Sequence, residues 1–282
     1  MLKQRIITAI VLLLILLPAL FYSDPTLFFA ITLVLLAGGA WEWGRLNGLG
    51  PVSSVLLGAL SMLLCAAAWG LGWHKQTLPV LWQLSAAFWV LAAAWLLRGG
   101  AVAWAQLPPS LRLVSGVFVL WLSWLALAQA RLVGVNFLLS IMTLVWVADI
   151  SAYFAGKRWG GRFFSRKLAP AISPGKSWEG VAGGLVGVLI LAVTWHLLDG
   201  FASVPSFYTL LITRGWWFFL LAVTFMLAMS VVGDLVESLI KRSAGVKDSS
   251  QLLPGHGGVL DRVDALLPTL PLAMMLHSMT TW

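Results

Sequence analysis

The chain has 282 residues, 60% of them hydrophobic and only 10% charged, with a mean hydropathy of +0.94. Soluble domains carry about 25% charged residues, so a water-exposed surface over most of the protein is excluded. The net charge of +8 comes from basic residues dispersed over the connections between apolar runs, which is a poor match to nucleic-acid binding.

Backbone polar groups in a bilayer must be satisfied internally, which leaves helices or a closed barrel. The apolar runs lack period-2 alternation and are ~17 to 22 residues long, the length of helices crossing a core of ~30 Å. An all-α polytopic membrane protein is therefore expected. In chain order, nine spans are predicted: 6–21, 27–40, 54–73, 78–97, 113–130, 137–155, 181–198, 216–232 and 265–282. The first follows Lys3 and Arg5 like a signal peptide, but Phe21 and Tyr22 stand where a cleavage site needs small residues, so it reads as an uncleaved span. The third holds the lone cysteine, Cys65, which excludes an intrachain disulfide and a thiolate metal cluster. The fourth is bounded by Pro79 and by Arg98, Gly99 and Gly100, and the ninth is interrupted near its start by Pro268 and Pro271. Among 17 tryptophans, Trp41, Trp43, Trp69, Trp73, Trp216 and Trp217 fall near span ends, as in an interfacial belt. Gly183, Gly184 and Gly187 suit close helix approach in the seventh span.

With the N-terminus in the cytoplasm, 15 of the 18 Lys and Arg residues fall on the cytoplasmic side, and only Lys75, Arg131 and Arg214 on the other. That asymmetry supports the orientation and the parity of the span count. Eight of the ten acidic residues lie at the cytoplasmic face by the same sorting, seven of them after residue 148; the eighth is Glu42. The chain thus divides into an N-terminal transmembrane region, 1–130, and a C-terminal transmembrane catalytic region, 131–282.

A carboxylate at the edge of hydrocarbon needs a partner or a cation. Asp149 ends an apolar run, with Tyr153 one turn on; a structural hydrogen bond is the alternative reading. At helical spacing Asp234, Glu237, Ser238 and Lys241 share a face just past the eighth span. A loop rich in Gly, Ser and Pro follows, with Lys247, Asp248 and the run Pro254-Gly255-His256-Gly257-Gly258. Glycines there let backbone N–H groups approach phosphate, although a plain flexible connection reads the same way. Asp261 and Asp264 stand three apart at a helix start with Arg262 between them, a pair suited to Mg²⁺ shared with substrate phosphates or to helix capping. A second basic loop, 156–180, ends in Ser173-Pro174-Gly175-Lys176-Ser177-Trp178-Glu179-Gly180. It lacks the upstream glycine of a P-loop. It offers either a phosphate contact at a helix N-terminus or a cap from Ser173 or Ser177. Together these segments supply carboxylates for metal and cations for phosphate, the equipment of phosphoryl or nucleotidyl transfer.

Residues 238–264, read as Ser238-Leu-Ile-Lys-Arg242, then Lys247-Asp248, then Leu253 through Asp264 without a gap, resemble the signature of the phosphatidate cytidylyltransferase (CDP-diacylglycerol synthase) family. Asp149-x-x-x-Tyr153-x-x-Gly156-Lys157 and residues 172–180 are similar to further family segments, with Gly175 standing where Lys or Asn is usual. The specific resemblance covers about residues 145–264. It implies the reaction CTP + phosphatidate → CDP-diacylglycerol + pyrophosphate, Mg²⁺, a second cation such as K⁺, a homodimer, and an active site facing the cytoplasm from a bacterial plasma membrane. By position, Asp234 and Asp261 would hold metal. Lys241, Arg242, Lys247, Arg262 and His256 would serve the phosphates. Asp264, Asp248 and Glu237 would orient those cations or complete the metal shell. Asp149, Ser173, Lys176, Ser177, Glu179, Ser238, Gly257 and Gly258 would complete the substrate site.

Two alternatives remain at this level. A CTP-dependent polyprenol or dolichol kinase shares the architecture and the nucleotide. A transporter would also carry charges in its spans, but here they gather at one face. A CDP-alcohol phosphotransferase would need an Asp-Gly-x-x-Ala-Arg core, which the sequence lacks.

Overall fold

A computed structural model describes residues 2–280, in which eleven α-helices account for most of the chain. They are α1 (Leu2–Phe21), α2 (Thr26–Leu46), α3 (Pro51–Gly70), α4 (Pro79–Gln106), α5 (Pro109–Val133), α6 (Val135–Trp159), α7 (Trp178–Leu198), α8 (Phe207–Thr213), α9 (Trp216–Ser243), α10 (Leu260–Val263) and α11 (Leu266–Thr280). Among the described residues, eight helices, α1–α7 and α9, are long and apolar enough to cross a membrane, and the all-α polytopic expectation holds. The ninth expected span corresponds to α11. Its 15 described residues rise about 22 Å at 1.5 Å each, and they are mostly buried against α4, α5 and α9. Residues 281–282 of that expected span lie outside the described residues.

Helix starts follow local chemistry. Pro51, Pro79 and Pro109 open α3, α4 and α5, where the missing N–H costs nothing. Ser177 caps α7 by accepting from Gly180 N–H at 3.1 Å. The expected end of the fourth span near Gly100 is a kink inside α4: Gly100 has φ 65° and ψ −164°, a conformation open to glycine alone at low cost.

Packing follows small residues, as expected where lipid supplies no hydrophobic drive between helices. α6 lies along α7, and a Cβ added at Gly183 or Gly187 would overlap Ala155 or Ser151 of the facing helix. Tryptophan use is less uniform than a belt. Trp216 and Trp217 are exposed, but Trp43 is buried: it donates to the Arg112 carbonyl at 3.0 Å, meets Trp104 edge-on, and sits where a side chain at Gly116 would stand. The close approach allowed by Gly116 therefore turns an expected interfacial tryptophan into a core residue.

Three helices continue past their apolar spans at the end that the charge sorting assigns to the cytoplasm. α2 runs on to Leu46 and carries Glu42. α6 runs to Trp159. α9 runs to Ser243, and its 28 residues span about 42 Å against a core of ~30 Å. Its last turns, Asp234 to Arg242, form a polar extension.

Candidate active site

The α9 extension brings the first cluster together. Lys241 sits between two carboxylates, ion-paired with Glu237 one turn back and with Asp261 Oδ1 at 2.6 Å. The Lys241, Glu237 and Asp261 side chains are only 12%, 6% and 7% exposed, so this is a desolvated triad. One turn earlier, Asp234 accepts from Ser238 Oγ at 3.2 Å and pairs with Lys176 Nζ at 2.7 Å. Gly233 makes this possible: a Cβ there would stand 2.5 Å from the Asp264 carbonyl, so only glycine lets α9 come so near that chain.

The loop between α9 and α10 is folded tightly onto Asp261. Its Oδ2 accepts from Ser249 N–H (2.9 Å), Ser249 Oγ (2.9 Å) and Gly258 N–H (2.8 Å). Leu253 and Gly257 close a small turn, with Gly255 and Gly257 at φ 76° and 81°, values that favour glycine. A Cβ on Gly257 would also stand 2.7 Å from Asp261 Oδ2. Arg262 clasps this turn by donating through Nε and Nη2 to the His256 carbonyl at 2.9 and 2.6 Å. His256 thus contributes its backbone, while its buried Nδ1 has no hydrogen-bond partner. Lys247 and Asp248 are exposed at the rim. The α1 helix braces the same turn: Arg5 Nε donates to the Gly255 carbonyl at 2.9 Å and Thr8 Oγ1 to that of Pro254 at 2.8 Å.

Residues 160–177 form the opposite wall. Backbone bonds around Ala169, Ser173 and Lys176 make a compact turn, which presents Lys176 to Asp234. Arg242 Nε reaches the Ile172 carbonyl at 3.4 Å and ties this turn to α9. Glu179 holds the start of this wall: its Oε1 accepts from the N–H groups of Gly161, Phe163 and Phe164 at 3.0, 3.0 and 3.1 Å. Ser177 is occupied as the α7 cap, and Ser173 bonds through its backbone. Asp149 is exposed on α6 within electrostatic reach of Asp234 and Lys176.

One carboxylate sequence reasoning did not assign is Glu42 of α2. It is fully buried and accepts four hydrogen bonds: Ser250 Oγ (2.5 Å) and Val259 N–H (2.9 Å) at Oε1, Ser249 Oγ (3.2 Å) and Leu260 N–H (2.8 Å) at Oε2. Its acidic character and cytoplasmic placement were the available signals; its partners more than 200 residues away were not.

The electrostatics favour a cation. Asp149, Asp234, Glu237, Asp261 and Asp264 act on one another, with Lys176 and Lys241 among the cations that offset them. Burial, then the nearby charge of Asp234, pushes the Asp264 carboxyl up from its usual range. Asp261 goes the other way: burial alone would raise it, but the Lys241 bond and the N–H groups of Gly258 and Ser249 outweigh that and hold it low. Among the described residues no group of three His, Cys, Asp or Glu is assembled as a ready metal cage. The donor chemistry nevertheless fits a hard divalent ion held by one or two carboxylates and completed by substrate phosphates. Asp234 and Asp264 suit that role, since among the described residues Asp264 is engaged through Oδ1 alone, by the Ala265 N–H at 2.8 Å. Asp261 already serves Lys241 and three further donors.

The sequence model of the cytidylyltransferase family matches residues 3–280. The chain belongs to the cytidylyltransferase family. Its relatives include the phosphatidate cytidylyltransferase of Pseudomonas aeruginosa, 39% identical over 100% of this chain and 99% of the relative. That of Haemophilus influenzae is 37% identical over 96% of both, and that of Staphylococcus haemolyticus 31% identical over 97% and 98%. Membership makes the chain a nucleotidyltransferase of phospholipid biosynthesis and an integral membrane enzyme.

Proposed function

We propose that the protein transfers the cytidylyl group of CTP to phosphatidate, giving CDP-diacylglycerol and pyrophosphate, at the cluster around Asp234 and Lys241. The observation that carries this reading is the convergence of Lys176, Asp234, Lys241, Asp261 and Asp264 from three separate segments at one end of the bundle. The full-length relatives named for that activity support it. A phosphatidate oxygen attacks the α-phosphorus of CTP, a new P–O bond forms, and the bond to the β-phosphate oxygen breaks. The attacking phosphate is already an anion, so no strong protein base is required. The obstacle is repulsion between the lipid phosphate and the triphosphate. Lys176, Lys241, Arg242, Lys247 and Arg262 offset it and stabilise the departing pyrophosphate.

Mg²⁺ held by Asp234 and Asp264 would supply further neutralisation at the triphosphate, and a second cation such as K⁺ would balance the remaining carboxylates. Asp264 is proposed here beside the Asp261 that the resemblance implies, because Asp264 bonds through Oδ1 alone among the described residues while Asp261 bonds Lys241 and the loop. Beside Glu237 lies an apolar cavity of about 380 Å³, lined by Trp43, Trp89, Trp104, Val236 and Leu260. It supports lateral access in which a lipid tail stays in hydrocarbon while its headgroup reaches the site. The charge asymmetry supports a site facing the cytoplasm from the bacterial inner membrane.

The test uses purified protein, phosphatidate and labelled CTP. Label in the α-phosphate enters lipid, γ-label does not, chelation stops incorporation and Mg²⁺ restores it. Entry of γ-label would instead identify a lipid kinase. The resemblance also implies a homodimer; a particle mass of one chain in detergent, after subtraction of bound detergent, would remove it.

A further inference from the structure

A carboxylate buried in a protein interior is costly unless it is paired or fully hydrogen-bonded. Glu42 is 0% exposed, and no Lys or Arg is ion-paired with it among the described residues. Among the described residues its two oxygens are met by two hydroxyls and two backbone N–H groups, all from residues 249–260. These donors bracket the glycine turn: Ser249 and Ser250 precede it, and Val259 and Leu260 follow it. One carboxylate on a membrane helix therefore closes both ends of the loop that carries His256, Gly257 and Gly258. The fit is tight at Gly258, where an added Cβ would overlap both Ser249 Oγ and the Glu42 carboxyl.

The connection continues into the reacting cluster. Ser249 Oγ lies 3.2 Å from Glu42 Oε2 and 2.9 Å from Asp261 Oδ2. Its single proton serves one carboxylate at a time, and the Ser249 N–H holds Asp261 independently. Asp261 in turn holds Lys241. A contiguous chain thus runs from Glu42 through Ser249 and Asp261 to Lys241, joining α2 to α9.

We infer that Glu42 is a positioning residue for the transfer reaction: it locks the 249–260 loop so that Asp261 holds Lys241 at the phosphate site. This rests on the reading of the Asp234–Asp261 cluster as the reaction centre. Both Glu42 oxygens are taken up by residues 249–260. Glu42 acts through backbone N–H groups and through Ser249, as partners beyond a site's immediate ligands commonly do.

The inference is tested with Glu42→Gln and Ser249→Ala in the full-length enzyme. Gln keeps the volume but turns an NH₂ toward donors that need an acceptor; Ala cuts the Ser249 link and leaves the Val259 and Leu260 bonds. Turnover should fall roughly 10- to 100-fold in Glu42→Gln and less in Ser249→Ala, with KM for phosphatidate unchanged. Amide hydrogen exchange should quicken in 249–261 and not in α6 or α7. Wild-type turnover in either variant overturns the inference, and so does faster exchange across the whole chain, which would make Glu42 a general fold stabiliser. If Glu42→Gln fails to insert, Ser249→Ala decides by the same readings. Asp261→Asn separates the two levels: normal turnover there removes the site reading, whereas normal turnover in Glu42→Gln beside an inactive Asp261→Asn removes the role of Glu42 alone.

Discussion

Asp234→Asn is expected to lower cytidylyl transfer by roughly 10²- to 10³-fold or more while the protein still inserts and folds. The magnitude is that of removing one preorganised electrostatic group from a site where charge must be balanced. The substitution keeps the side-chain volume and leaves an oxygen to accept from Ser238, so packing on α9 is preserved. It removes the ion pair with Lys176, whose members are 24% and 30% exposed; pairs that open to solvent contribute about 0.2–1 kcal/mol, too little to unfold the protein. Activity and stability should therefore separate. Thermal unfolding in detergent supplies a second reading independent of turnover. Mg²⁺ should raise the wild-type midpoint, because an ion that binds only the folded state stabilises it, and should leave Asp234→Asn unmoved. Undiminished turnover, or full Mg²⁺ stabilisation of the variant, would remove Asp234 from the metal site.

The parts of this site that were legible in the sequence are those whose partners lie within a few helical turns or one short loop. Asp234, Ser238 and Lys241 share a face by spacing alone, and the structure places them on one helical extension. Residues 238–264 form a continuous pattern, and they fold as one clasp around Asp261. Pairings across the chain were not legible. Lys176 and Asp234 both stood out as charged groups near the cytoplasmic face, but nothing local says that they meet. Glu42 was visible as an acidic residue on the same face, and its four donors arrive only when the last cytoplasmic loop folds onto α2. Hydropathy also marked where lipid ends rather than where helix ends. The spans read at 27–40 and 216–232 stop short of α2 and α9, because backbone hydrogen bonding continues into water with Glu, Lys and Arg, which are good helix formers. Those unmarked turns hold Glu42, Asp234, Glu237 and Lys241. Trp43 shows the converse, since proximity to a span end says nothing about the glycine opposite it.

Lys241→Met should do what Asp234→Asn does not: cost activity and stability together. The Lys241 ammonium separates Glu237 and Asp261, and all three side chains are nearly desolvated. Removing it leaves two buried carboxylates with no cation between them and Asp264 in the same field. Breaking a buried pair by deleting one partner costs about 3–5 kcal/mol, because the stranded charge remains. The apolar surroundings of Glu237, which also lines the 380 Å³ cavity, give it little water to fall back on. A second substitution distinguishes charge from packing. Glu237→Gln in the Lys241→Met background removes one stranded charge, and the pair of changes should be less destabilising than the sum of the two single ones, since residues in one ion-pair network couple. Activity should not return in the double variant, because the phosphate still lacks Lys241. Detergent-phase thermal unfolding of the wild type, both singles and the double completes the cycle. Lys241→Met as stable as the wild type, or a double variant whose loss equals the sum of the singles, would show that the triad is not the coupled buried unit that its geometry describes.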